Sequence, residues 1–182
     1  MKEFIKDLII AVVIVLAVTM VIKPTIVKES SMERTLYENN YLFVNKLAYK
    51  FKDHPARGDI IVFKSNLDNT EDGSKKLLIK RVIGVEGDTI TIKDGNVYRN
   101  GELINEPYVH TPGVTYEEDM TIDELQVPEN RVFCMGDNRE VSLDSRSEEV
   151  GTVAERDIVG KAFVRLFPFS EFGSLSTYSE KE

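Results

Sequence analysis

From Leu8 to Ile22 the chain reads LIIAVVIVLAVTMVI, 15 residues without a charge, and it continues as KPTIV to Val27 with Lys23 as the only ionisable group. About 20 residues at helical rise cross the hydrocarbon core of a bilayer, so the run predicts one membrane crossing over residues 8–27. Lys23 sits near one end, where its stem can lie along lipid while the ammonium stays wet. A buried core helix is the alternative, but a β-branched run with no polar stripe at helical period fits a lipid-facing segment better. A cleaved signal peptide is the competing reading, because Lys2 and Lys6 supply a basic start. The next residues, Ile22, Lys23, Pro24 and Thr25, make a poor cleavage site, so an uncleaved anchor is expected. Lys2 and Lys6 before the run and Lys23 and Lys28 at its far end leave the positive-inside rule without a vote on orientation.

The full length is 182 residues, so the part beyond the anchor suffices for one domain of ordinary size. Beyond residue 23 it holds 20 basic and 29 acidic residues. Such an acidic domain offers no broad basic surface for phosphates, and nucleic acid is not expected as a partner. Short β-branched and apolar runs recur at Tyr41 to Val44, Asp59 to Phe63, Leu77 to Ile83, Thr89 to Ile92, Arg131 to Met135 and Ile158 to Phe167. Asp94-Gly95 and Asn100-Gly101 separate the alternating segments TITIK, NVYR and ELIN, as the turns of a hairpin meander would. The polar stretch Ser65 to Lys76 reads as a loop. Residues 106–130, acidic and interrupted by Pro107, Pro112 and Pro128, read as a long loop or a small insertion.

Composition narrows the chemistry. One cysteine, Cys134, cannot form an intrachain disulfide, and with two histidines a structural zinc site is hard to complete. His54 and His110 lie in loop-like surroundings near prolines, and no serine stands in a nucleophile-elbow pattern, so a Ser/His/Asp triad is not expected. No cofactor motif is evident. The distinctive segments are Ser30-Ser31-Met32-Glu33-Arg34-Thr35-Leu36, Arg57 to Phe63, Lys80-Arg81-Val82-Ile83-Gly84-Val85-Glu86-Gly87-Asp88, and Met135-Gly136-Asp137-Asn138-Arg139 running on to Ser142, Asp144, Ser145 and Arg146.

With those four boxes in that order behind an anchor, the chain resembles the bacterial type I signal peptidases of the single-anchor kind over nearly its whole length. The resemblance implies a mostly β catalytic domain of coiled antiparallel sheets behind one N-terminal transmembrane helix. Residues 1–7 would be cytoplasmic, 8–27 the anchor, and 28–182 an extracytoplasmic catalytic domain. It further implies a serine endopeptidase that removes signal peptides from exported preproteins after Ala-x-Ala-like sites, with membrane lipid as its other partner and no metal or cofactor; oligomeric state stays open. Carried over by position, Ser31 is the nucleophile and Lys80 the general base. Ser142 orients that base, Asp144 and Arg146 form a supporting ion pair, and Asp137 and Arg81 extend the network. Met32, Leu36, Leu78 and Ile79 are candidate pocket-lining residues, with core packing as the alternative for each. The chain departs from the pattern at Glu29, where the family has Gly or Ser, and at Arg34, which replaces the proline of S-M-x-P-T-L. A carboxylate two residues before the nucleophile could oppose developing negative charge, so slower cleavage or a restricted substrate set is expected. The alternative function is a weakly active or non-catalytic relative that assists the assembly of surface proteins.

Overall fold

In a computed structural model the described residues are 1–51, 53–69 and 73–175. Helix α1 spans Lys2–Val21, and its stretch Glu3–Val21 is long and apolar enough to cross a membrane, with none of it buried against the rest of the chain. Twenty residues give about 30 Å of helix, the thickness of the hydrocarbon core. The helix starts and stops earlier than the expected 8–27. Proline disfavours helical backbone in the residue before it, and its ring would strike the carbonyl four residues back. Pro24 therefore ends the helix from a distance, and Ile22 is already extended, with φ −112° and ψ 132°.

Strand β1, Ile22–Ile26, continues directly from the helix and forms one edge of the larger sheet, where a proline without an N–H is tolerated. The chain then runs through β2 (Tyr41–Asn45), β3 (Ile60–Asp68), β4 (Lys75–Gly84), β5 (Thr89–Lys93), β6 (Asn96–Arg99), β7 (Glu102–Leu103), β8 (Leu125–Gln126), β9 (Arg131–Met135), β10 (Val153–Ala154), β11 (Ile158–Phe167) and β12 (Gly173–Ser174). The larger sheet has the order β1-β2-β11-β3-β4-β9-β10, with β12 also on β11, and the smaller has β7-β6-β5-β8. All pairings are antiparallel among the described residues.

The run Ile60-Ile61-Val62-Phe63 lacks polar alternation because both faces of β3 are covered. Ile61 and Phe63 pack with Leu78, Val82, Val132 and Cys134, whereas Ile60 and Val62 pack with Met32, Leu36, Leu42 and Val44. Of the expected loop over Ser65 to Lys76, residues 65–68 and 75–76 are strand, while 70–72 lie outside the described residues. β3 and β4 project as a hairpin arm, Asp68 opposite Lys75 with their charges 2.8 Å apart, and Ser65 Oγ donates to the Lys76 carbonyl. An arm wet on much of its surface has polar residues for that reason, and they mimic loop composition.

The meander is built as its turns require. Asp94 and Gly95 have φ of 51° and 75°, and Asn100 and Gly101 have 55° and 82°, the two left-handed residues of a type I′ turn. Residues 106–130 contribute β8 and pack Ile122 and Val127 with Ile83, Ile90 and Phe133, so this stretch covers the smaller sheet. A Cβ on Gly95 would overlap the Gly113 carbonyl, whereas one on Gly101 would meet nothing within 4 Å. Gly101→Ala is expected to cost about 1 kcal/mol from its positive φ alone. Gly95→Ala should lower the midpoint of thermal unfolding further, and equal midpoints would refute the overlap.

Candidate active site

Ser31 lies in a short 3-10 turn, Ser30–Met32, four residues beyond β1. Met32 and Leu36 are buried in the core beneath it, which fixes the turn on the sheet. Lys80 comes from the middle of β4, sharing a strand face with Leu78 and Val82, and it is 1% exposed. Its Nζ lies 2.6 Å from Ser31 Oγ, the one side-chain partner it has among the described residues. Burial lowers the Lys80 pKa from its ordinary value, against the charges of Asp144 and Glu29, which act to raise it, and with help from Lys76. The Ser31 N–H makes no hydrogen bond to any described residue, while its carbonyl accepts from the Asn138 N–H at 3.0 Å.

Around the pair stand two ion pairs. Asp144, fully buried, takes Arg146 Nε at 2.8 Å on one oxygen and, on the other, Arg146 Nη2 at 3.0 Å, the Gly136 N–H at 3.0 Å and the Ser142 hydroxyl at 2.7 Å. Ser142 thus donates to Asp144, and no hydrogen bond joins it to Lys80. It reaches the site through Gly136, where an added Cβ would overlap both Ser142 Oγ and the Ser31 carbonyl oxygen. Asp137 receives Arg81 Nε at 2.8 Å and Nη2 at 2.7 Å, with Thr35 Oγ1 at 2.5 Å on the second oxygen. Arg81 also donates to the Gly58 carbonyl and lies 4.1 Å from the centre of the Tyr108 ring. This pair ties β4 to the turn after Ser31 and to the loop after β9.

A groove of about 460 Å³ opens beside Ser31, bounded on one wall by Thr25 to Glu29 and on the other by Ser74 to Ile79. Met32, Leu78 and Ile79 line it; Leu36 does not, being fully buried against Leu42, Val44 and Ala162. On β4 the neighbour β9 pairs only with residues 81–84, so among the described residues 75–80 have a strand on the β3 side alone. Glu29 borders the groove and its Oε1 lies 2.5 Å from Lys76 Nζ. Both histidines are exposed and neither lines the groove. Cys134 is fully buried in the core, where burial pushes its thiol pKa up.

The family model for signal peptidase, peptidase S26, matches residues 1–167. The chain belongs to the signal peptidase family. It is 34% identical over 178 residues to a probable signal peptidase I-2 of Synechocystis, covering 97% of this chain and 78% of that one. It is 35% identical to the signal peptidase I of Bacillus licheniformis, over 93% of this chain and 90% of its relative. A signal peptidase I structure from Enterococcus faecalis is similar at 31% identity with a TM-score of 0.46, covering 60% of this chain and 97% of the other. Signal peptidase family membership supports a serine peptidase acting on signal peptides, and with α1 it indicates a membrane anchor.

Three residues that position the site, Gly136, Asn138 and Thr35, stand inside the motifs without a role that the sequence assigns. Each acts through backbone closeness or a bond to another motif, which spacing does not reveal. Lys76 belongs to none of the motifs, although the period of a strand puts it on the face of Leu78 and Lys80. At Arg34 the departure from the signal peptidase pattern is larger than the loss of a fixed φ. Arg34 has φ of 82°, beyond proline's reach, and its Nη1 donates to the Val109 carbonyl at 3.1 Å. Arg34→Pro should therefore cost on the order of 1–3 kcal/mol, while Arg34→Gly stays near wild type; a stabilised Arg34→Pro would contradict this turn.

The buried amine also makes a stability prediction. A lysine whose folded pKa is lowered opposes folding most at low pH, and the cost fades as pH rises toward the unfolded value. Lys80→Met should raise thermal stability near pH 7, where each tenfold bias in proton equilibrium is worth about 1.4 kcal/mol. The gain should shrink by pH 10, and a gain constant with pH would contradict the charge explanation.

Proposed function

We propose that this protein is a membrane-anchored serine endopeptidase that cleaves N-terminal signal peptides from exported preproteins after Ala-x-Ala-like sites, with Ser31 as nucleophile and Lys80 as general base. The observation that carries the reading is the 2.6 Å contact between Ser31 Oγ and a buried lysine amine whose surroundings favour its neutral form. Neutral Lys80 takes the Ser31 proton as Oγ adds to the scissile carbonyl. The resulting oxyanion has the uncommitted Ser31 N–H as a donor. Lys80 then protonates the departing amine, leaving an acyl ester on Ser31, and takes a proton from the water that hydrolyses it. Asp144 carries a charge that would hold a proton on Lys80; Arg146, Ser142 and the Gly136 N–H compensate it.

The groove suits an extended peptide. Among the described residues, 75–80 of β4 have no strand on the groove side, and an added strand would gain main-chain hydrogen bonds while alternate side chains enter pockets. Met32, Leu78 and Ile79 make an apolar floor for small side chains. Thr25 Oγ1, buried without a hydrogen-bond partner among the described residues, borders the same groove and can bond substrate main chain. Ser31 lies ten residues beyond the helix end, which keeps the site near the membrane surface; we propose with it that the catalytic domain lies on the extracytoplasmic face, where exported preproteins emerge. The charged pair on the groove rim, Glu29 with Lys76, favours a restricted substrate set.

The test is cleavage of an Ala-x-Ala preprotein by the detergent-solubilised full chain across neutral to alkaline pH. Rate should rise as Lys80 loses its proton, and Ser31→Ala and Lys80→Ala should each reduce cleavage by at least about 1000-fold, as removal of a nucleophile or base does elsewhere. Wild-type cleavage by either variant would falsify the dyad.

A further inference from the structure

Glu29 stands two residues before the nucleophile, on extended backbone with φ −129° and ψ 154° at the start of the 3-10 turn that carries Ser31, and it lines the groove together with Ser31. An unpaired carboxylate there would oppose negative charge developing on the attacked carbonyl and would favour a proton on Lys80. Its partner is Lys76, reaching from the opposite wall with Nζ 2.5 Å from Glu29 Oε1, and the two side chains are 42% and 45% exposed. Both residues line the groove, and both line a second cavity of about 320 Å³ on the other flank of Ser31, bordered by Glu38, Val141 and Leu143. The pair therefore crosses the cleft beside the nucleophile.

We infer that Lys76 is a positioning residue for peptide cleavage: it holds the Glu29 carboxylate away from the oxyanion and makes the rim beside the Ser31–Lys80 pair electrically neutral. This rests on the dyad reading above. On β4 Lys76 precedes Lys80 by four residues on the same face, roughly 13 Å along the strand. The charged and titratable groups felt by Lys80 are Asp144, Glu29, Lys76, the Cys134 thiol and Glu118. Asp144 is matched by Arg146, Glu118 has Arg146 at 3.2 Å, and Glu29 has Lys76. Arg146 is shared by Asp144 and Glu118 and Lys76 serves Glu29, so the pull of each carboxylate on the Lys80 proton is partly offset by a neighbouring cation.

The experiment measures kcat and KM against pH, at low salt, for the full chain and for Lys76→Met, Lys76→Arg, Glu29→Gln and the Glu29→Gln/Lys76→Met double variant. The substrate is a fluorogenic Ala-x-Ala peptide, and Ser31→Ala and Lys80→Ala are controls. Lys76→Met should lower kcat several-fold with little change in KM and move the acid limb up by several tenths of a pH unit, the screening of a half-exposed charge limiting the effect. Glu29→Gln should move the limb down, Lys76→Arg should keep the wild-type profile, and the double variant should return toward wild type in both kcat and limb. An unmoved limb in Lys76→Met, or a double variant as slow as Lys76→Met, overturns the inference. Cleavage by Ser31→Ala or Lys80→Ala overturns the dyad instead, so the two failures are told apart.

Discussion

An ammonium group taken out of water is tolerated only if it is matched by acids or can give up its proton. Lys80 is 1% exposed and has one side-chain partner among the described residues, a serine hydroxyl. The arrangement of the surrounding charges stems from that constraint. Asp144 would offer Lys80 a full countercharge and so disarm it as a base. Its carboxylate instead accepts two bonds from the Arg146 guanidinium and one from the Arg146 backbone N–H, one from Ser142 and one from the Gly136 N–H. The acid can then shape the loop after β9 without fixing a proton on the amine.

Positioning comes from the scaffold at three levels. β3 is covered on both faces and fixes β4, which carries Lys80 toward one side and Arg81 toward the other. Arg81 bonds Asp137, and Asp137 receives Thr35, so one buried ion pair joins β4, the turn after Ser31 and the loop after β9. Breaking a buried pair by removing one partner typically costs 3–5 kcal/mol, roughly a third or more of a small domain's stability. The loop itself passes so close to Ser31 that only glycine fits at position 136.

Much of this architecture is legible in the sequence. The runs at 131–135 and 158–167 are strands with the expected bounds, and both two-residue turns fall where Asp-Gly and Asn-Gly stand. The features that escape sequence reading have physical causes. The hairpin arm of β3 and β4 is polar because it leaves the core, so its composition resembles a loop. The anchor's end is set by Pro24 rather than by hydropathy. Leu36 looks like a pocket residue because it belongs to a motif, but the motif supplies core as well as chemistry. Ser142 bonds the acid rather than the base, and Lys76 meets Glu29 across a cleft; both are long-range geometry that neither period nor spacing encodes.

An unpaired strand edge is a general hazard, because it will pair with any extended chain. Here the edge of β4 that is unpaired among the described residues is short, 75–80, and it begins with Lys75 and Lys76. Charges at such an edge normally repel strangers. In this chain the second of them is drawn over the groove by Glu29, leaving the apolar part, Leu78 and Ile79, open next to Ser31. The same residues can thus guard the edge against indiscriminate pairing and leave room for a small-residue peptide. The anchor adds a further constraint, since β1 continues from α1 without a linker and the groove's first wall continues from that strand. The helix, β1 and the wall that faces Lys76 are therefore one unbroken stretch of chain, so the position of the anchor and that of the groove are set together.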